Sequence, residues 1–77
     1  MYEYVVIGIQ HRKGTYEGKD FDNMIFSCIR PADNYKEEQG EIAALFKVKT
    51  SNLKSIPQLQ EKVMPIYDQY RNVIGFL

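Results

Sequence analysis

The residues able to do chemistry gather in one stretch, His11-Arg12-Lys13-Gly14-Thr15-Tyr16-Glu17-Gly18-Lys19-Asp20-Phe21, where three cations and a histidine interleave with two aromatic rings. Cations can track phosphates while aromatic faces stack on bases, each stacked base being worth ~1–3 kcal/mol whatever its identity, so the combination suits a grip on single-stranded nucleic acid. The plainer alternative is an ordinary polar hairpin loop, since Glu17 and Asp20 offset two of its three formal charges. A second basic region runs from Ile42 to Gln60, with Lys47, Lys49 and Lys54 and no acid. Tyr67, Tyr70 and Arg71, around a turn near the end of the chain, form a third candidate, although Tyr67 suits a core equally well.

Other chemistries find too few partners. Nucleophilic hydrolysis needs a Ser, Cys or Thr beside a base, and His11 is the only histidine. Cys28, between Ser27 and Ile29, reads as a small buried hydrophobe, and with His11 it makes two of the three or four ligands a metal site requires. The stretch Gly14 to Asp20 lacks the spacing, the Ser/Thr and the following helix of a phosphate-binding loop. Glu37 and Glu38 fall in a polar segment and read as solvated surface. The chain is therefore expected to be no enzyme and to use no cofactor or metal.

The elements that must position these residues are short. In 77 residues, ten Lys/Arg balance ten Asp/Glu, so a nucleic-acid reading must rest on where the charges sit and not on net charge. The length fits one domain with a thin core. A lone cysteine suits a reducing compartment, and the cytoplasm is the expected location. The N-terminal residues lack the basic flank of a secretory signal, and the run Tyr4 to Ile9 is far short of the ~20 apolar residues that span a bilayer, so no membrane contact is expected.

Five β-type runs are separated by turn-forming residues. Tyr2 to Gln10 is apolar on both faces, with a bulge or bend expected at Gly8; Phe21 to Arg30 is ended by Pro31; Glu41 to Lys49 alternates cleanly, with Ile42, Ala44, Phe46 and Val48 on one side and Glu41, Lys47 and Lys49 on the other. Ala32 to Gly40 reads as a loop. In Thr50 to Gln60, Ser55 three residues before Gln58 resembles a capping box, which predicts a short helix. Lys62 to Asp68 and Val73 to Leu77 flank a hairpin loop at Gln69 to Asn72, with Pro65 implying an edge strand or a bulge. Three strands, a short helix and two strands make the order of an OB-fold, a five-stranded, partly open barrel that binds oligonucleotides or oligosaccharides. A barrel resembling SH3 domains and an open sheet with one helix stay open as alternatives. Terminal strands this apolar need covering, which a homodimer burying Tyr2, Tyr4, Phe76 and Leu77 would supply.

The stretch from Gln10 to Cys28, a Lys-Gly-Thr turn followed by Gly18-Lys19-Asp20-Phe21 and an apolar strand, resembles small single-stranded-DNA-binding proteins of phages and conjugative elements. Ile66 to Ile74 resembles the closing hairpin of small proteins carried by mobile elements of Gram-positive bacteria, and gene V type proteins of filamentous phages share the Gly-Lys-x-aromatic step more distantly. The resemblance covers about half the chain. It implies that Lys19 and Phe21 stand at the entrance of a DNA groove and that Arg12, Lys13 and Tyr16 form a DNA-binding wing. This chain departs from the gene V pattern in its neutrality and in Asp20, which stands where that pattern has proline. The site expected is thus Arg12, Lys13, Tyr16, Lys19, Phe21, Lys47, Lys49, Tyr70 and Arg71, with single-stranded nucleic acid as partner. The competing expectation is a small β-barrel that docks another protein by strand addition.

Overall fold

The structure, a computed structural model, describes residues 2–77. Two strands dominate it, β1 (Tyr4–Tyr16) and β2 (Lys19–Pro31), joined by Glu17 and Gly18 alone. Both joining residues have positive φ, 51° and 75°, the backbone of a type I′ turn, whose twist matches that of the strands it connects. The segment expected to be a loop, His11 to Phe21, is therefore a ribbon paired residue by residue up to Tyr16 opposite Lys19. Its alternation is polar on both sides, so it carries no hydrophobic period to announce a strand.

Near its start β1 takes in one extra residue. Val6 lies opposite Cys28 but Gly8 opposite Ser27, so Ile7 forms a bulge, at the place the glycine suggested. Side chains alternate along a strand, and one inserted residue exchanges the faces of everything beyond it. Before the bulge the even residues Tyr4 and Val6 point into the core; after it the odd residues take over that face, though they lie beyond the core and are exposed, and Arg12, Gly14 and Tyr16 turn to the other side.

The third strand, β3 (Glu41–Lys49), has the bounds its alternation predicts and pairs with β2 along its whole length. On the other side of β1, β4 (Lys62–Val63) adds two residues, giving a curled four-stranded half-barrel of order β3-β2-β1-β4. A separate hairpin of β5 (Pro65–Tyr67) and β6 (Val73–Phe76) lies with β6 against β3. A single five-stranded barrel is thus not what forms: the run Lys62 to Asp68 breaks at Met64 because Pro65 has no amide hydrogen to extend the ladder.

The short helix expected between the third and fourth strands is also absent among the described residues, which hold only 3-10 turns at Asn34–Lys36 and Thr50–Asn52. Ser55 caps nothing; the Gln58 amide donates to Glu61 Oε2 at 2.7 Å, and the Gln60 backbone is left-handed. A segment this short cannot recover the cost of helix nucleation, and Pro57, buried, holds Ile56 extended.

The core fills the concave side with Tyr4, Val6, Met24, Phe26, Cys28, Phe46, Val48 and Val63, flanked by Leu53, Val73 and Phe76. Aromatic rings run through it edge to face: Tyr4 on Phe46 at 4.9 Å, Phe46 on Phe76 at 6.1 Å and Phe76 on Phe26 at 5.2 Å. Burial pushes the Cys28 thiol up, in keeping with its reading as a hydrophobe. Tyr4 and Phe76, expected to cover each other between two copies, pack inside their own chain, whereas Leu77 stays exposed.

One buried charge interrupts the apolar side. Arg30 makes a two-pronged pair with Glu38, at 2.8 and 2.9 Å, and lies under the Tyr2 ring at 3.9 Å, while the Tyr2 hydroxyl donates to Asp33. Glu38 is accordingly no solvated surface residue: it also accepts from the Asp33 amide and ties the loop before β3 to β2. Donation first from Arg30 and then from that amide holds the Glu38 carboxyl down at about 2 against an ordinary 4.5. A carboxyl held low in the folded state stabilises it fully above the unfolded value and loses that contribution as pH falls toward the folded value. Thermal melts should therefore show Tm falling from pH 5 to pH 2, with Glu38→Gln less stable at pH 7 and converging on the parent by pH 2. Asp22, Asp33 and Asp68 are also held low, so the variant flattens the profile only in part. A gap between the two proteins that stays constant down to pH 2 would remove the ion pair from the account.

Candidate nucleic-acid interface

Residues opposite one another in an antiparallel pair share a face, so the register alone sorts the candidates. Across the convex side the rows read Val5-Ile29-Ala43, Gly8-Ser27-Leu45, Gln10-Ile25-Lys47, Arg12-Asn23-Lys49, Gly14-Phe21 and, at the tip, Tyr16-Lys19. Six of the nine expected site residues, Arg12, Tyr16, Lys19, Phe21, Lys47 and Lys49, therefore fall on one surface. All six are exposed, Tyr16 at 71% and Phe21 at 37%.

The opposite side of the ribbon takes the acids. Thr15 donates to Asp20 at 2.8 Å, and Asp22 Oδ1 meets His11 Nε2 at 2.6 Å and the Thr50 hydroxyl at 2.7 Å. The Thr50 hydrogen bond, and then that of His11, hold Asp22 low. The offset that the sequence shows in this stretch is therefore spatially undone for Asp20, which with Asp22 faces one way while Arg12, Lys19, Lys47 and Lys49 face the other; Glu17 stays in the turn between Tyr16 and Lys19. On the convex side acids reappear at the far end, where Glu41 is paired with Pro31 and Glu3 lies 3.9 Å from Lys62, the residue opposite Val5.

Lys13 does not join the group. It sits opposite Asp22, on the acidic side, against the expectation that it flanks Arg12 in a DNA-binding wing. The reason is strand alternation: neighbours along a strand cannot share a face. Tyr70 and Arg71 are also apart, in the turn between β5 and β6, where Asp68 accepts from the amides of Tyr70 and Asn72 and Arg71 has a left-handed backbone. That turn approaches the end of β3, and Asp68 and Asn72 line a hollow together with Lys47 and Lys49, so the third candidate borders the face without lying on it.

Phe21 owes its position to a glycine. A Cβ on Gly14 would come within 3.1 Å of the tip of the Phe21 ring, so the ring lies across the ribbon over bare backbone. A glycine facing an aromatic residue across two strands leaves the ring flat and half exposed, which is the posture a stacking platform needs. Neither Asn23 nor Gln10 stands out in the sequence, yet the register places both on this face between the cations. An alternating pattern beyond the bulge is the signal that identifies them, and it can be read only once the extra residue is known.

Among the described residues no helix is long and apolar enough to cross a membrane. No protein-family model, curated protein or solved structure matches the chain.

Proposed function

We propose that the chain is a non-enzymatic protein that binds single-stranded nucleic acid along the convex face of β1, β2 and β3, in the manner of a small OB-like barrel of a phage or mobile element. The observation that supports this most is the segregation of charge by face: Arg12, Lys19, Lys47 and Lys49 share a surface with Tyr16 and Phe21, while Asp20 and Asp22 are turned away. The cations flank a central lane along β2 and would hold phosphates, while the rings would stack on bases that a duplex keeps paired. Fluorescence anisotropy of a labelled oligonucleotide, single-stranded against duplex, tests it. Tighter binding of the single strand that weakens steeply with salt is the expected result, and Tyr16→Ala should cost ~5-fold or more in affinity with the salt slope unchanged. No binding at high micromolar protein would end this reading.

A second reading has its own observation. β4 covers β1 only at Tyr4 and Val5, and after Val6 the outer edge of β1 has no strand beside it among the described residues. An open edge of this length can accept an extended peptide as a further strand. Stoichiometric capture of a protein, with no salt-sensitive response to oligonucleotides, would favour it.

A further inference from the structure

Where the β2–β3 ladder stops at Lys49 the following turn is held to β2 by the Thr50 hydroxyl on Asp22, and an open hollow of about 490 Å3 lies beside it. Its wall includes Phe21, Asn23, Lys49 and Ser51, and Asp20 and Asp22 border it. A ring, a carboxamide and a cation stand there within one register step of each other, Asn23 being opposite Lys49 and Phe21 two residues along the same strand. Asp20 and Asp22 are engaged by Thr15, His11 and Thr50, whereas the Asn23 carboxamide has no hydrogen-bond partner among the described residues.

We propose that this hollow holds one base of the bound strand and selects a base with an exocyclic amino group, adenine first; the proposal rests on the single-strand reading above. Phe21 supplies the stacking surface, which favours the larger purine face. The Asn23 carboxamide accepts from the amino group and donates to the adjoining ring nitrogen, the two-point pairing that asparagine makes with adenine. Asp20 and Asp22, engaged on the opposite face by Thr15, His11 and Thr50, make no contact with the base, but their charge at the border of the hollow disfavours the carbonyl oxygen that thymine and uracil present in the same position. Lys49 then sits where the phosphate of that nucleotide can reach it. On the Hoogsteen edge guanine offers only the acceptors O6 and N7 and leaves the amide half satisfied, and its own amino group lies on the far side of O6, out of line with this pairing.

The test uses the full chain and three labelled 12-residue single strands of dA, dT and dC, titrated by anisotropy against the parent and against Asn23→Leu, with circular dichroism checking that both are folded. The expected result is binding of dA at least ~5-fold tighter than dT, with dC between. In Asn23→Leu the preference should disappear, dA binding falling to the level of dT, with the salt slope as in the parent. Equal binding of dA and dT by the parent overturns the base pocket and leaves the single-strand reading standing, as does a preference that survives Asn23→Leu. Binding of none of the three overturns both. Should Asn23→Leu fail to fold, Asn23→Ser replaces it, with the same loss of preference expected and its retention counting against the pocket.

Discussion

Removing Arg12, Lys19, Lys47 and Lys49 together should abolish measurable binding of single-stranded DNA at moderate salt, while Lys13→Ala, one residue from Arg12, should leave binding nearly as it was. Each cation that neutralises a phosphate of a single strand contributes ~0.7 to the slope of log affinity against log salt. Four alanines on the convex face should thus flatten the slope by ~3 and lower affinity at ~50 mM salt by on the order of 1000-fold. All four side chains are exposed, so the fold should bear their loss with little change. Lys13 has the same charge but faces Asp22 on the other side of the ribbon, so its removal should change the slope by well under 0.7. Equal effects of Lys13→Ala and Arg12→Ala would mean that charge density near the tip, and not the face, governs binding.

That contrast between adjacent residues could not be read from the chain alone. The stretch from His11 to Phe21 displays its chemistry openly, but which residues act together depends on register, and the register turns on the single residue Ile7. Without the bulge the faces would be exchanged, setting Lys13 beside Phe21 and turning Arg12, Gly14 and Tyr16 toward the acids. Where an apolar face exists the sequence is explicit: Ile42, Ala44, Phe46 and Val48 give β3 both its bounds and its orientation. A ribbon that projects past the core has water on both sides and nothing to mark its period. Its turn was marked only by Gly18, since Glu17 is an uncommon residue for a left-handed position. The ion pair of Arg30 with Glu38 was equally hidden, because a Pro-bounded strand end and a polar loop give no sign that they close on each other. The helix expected after Thr50 failed for the opposite reason, a local capping pattern without an apolar stripe to hold it against the sheet.

The largest loss of stability should come from Phe26→Ala. Phe26 is fully buried, stands opposite Phe46 in the β2–β3 ladder and meets the edge of Phe76 at 5.2 Å. It therefore ties the sheet to the β5–β6 hairpin, which no backbone ladder joins to the half-barrel. Truncating a buried Phe costs ~3–5 kcal/mol in lost burial and residual cavity. A domain of 77 residues has about 4–12 kcal/mol in all, so the variant should lose from a quarter of its stability to the whole of it. In a thermal melt this is a fall in Tm of about 15–30 °C. Phe26→Leu, which keeps most of the volume, should lose less than half as much. The convex face is framed by the β1–β2–β3 ladder on the other side of the sheet, so at ~5 °C any Phe26→Ala that remains folded should bind single-stranded DNA with the parent's salt slope. A cost below about 1 kcal/mol would mean that the hairpin does not depend on this ring. A changed salt slope in the folded variant would mean that the convex face is shaped by the core beneath it, and the register alone would no longer account for the site.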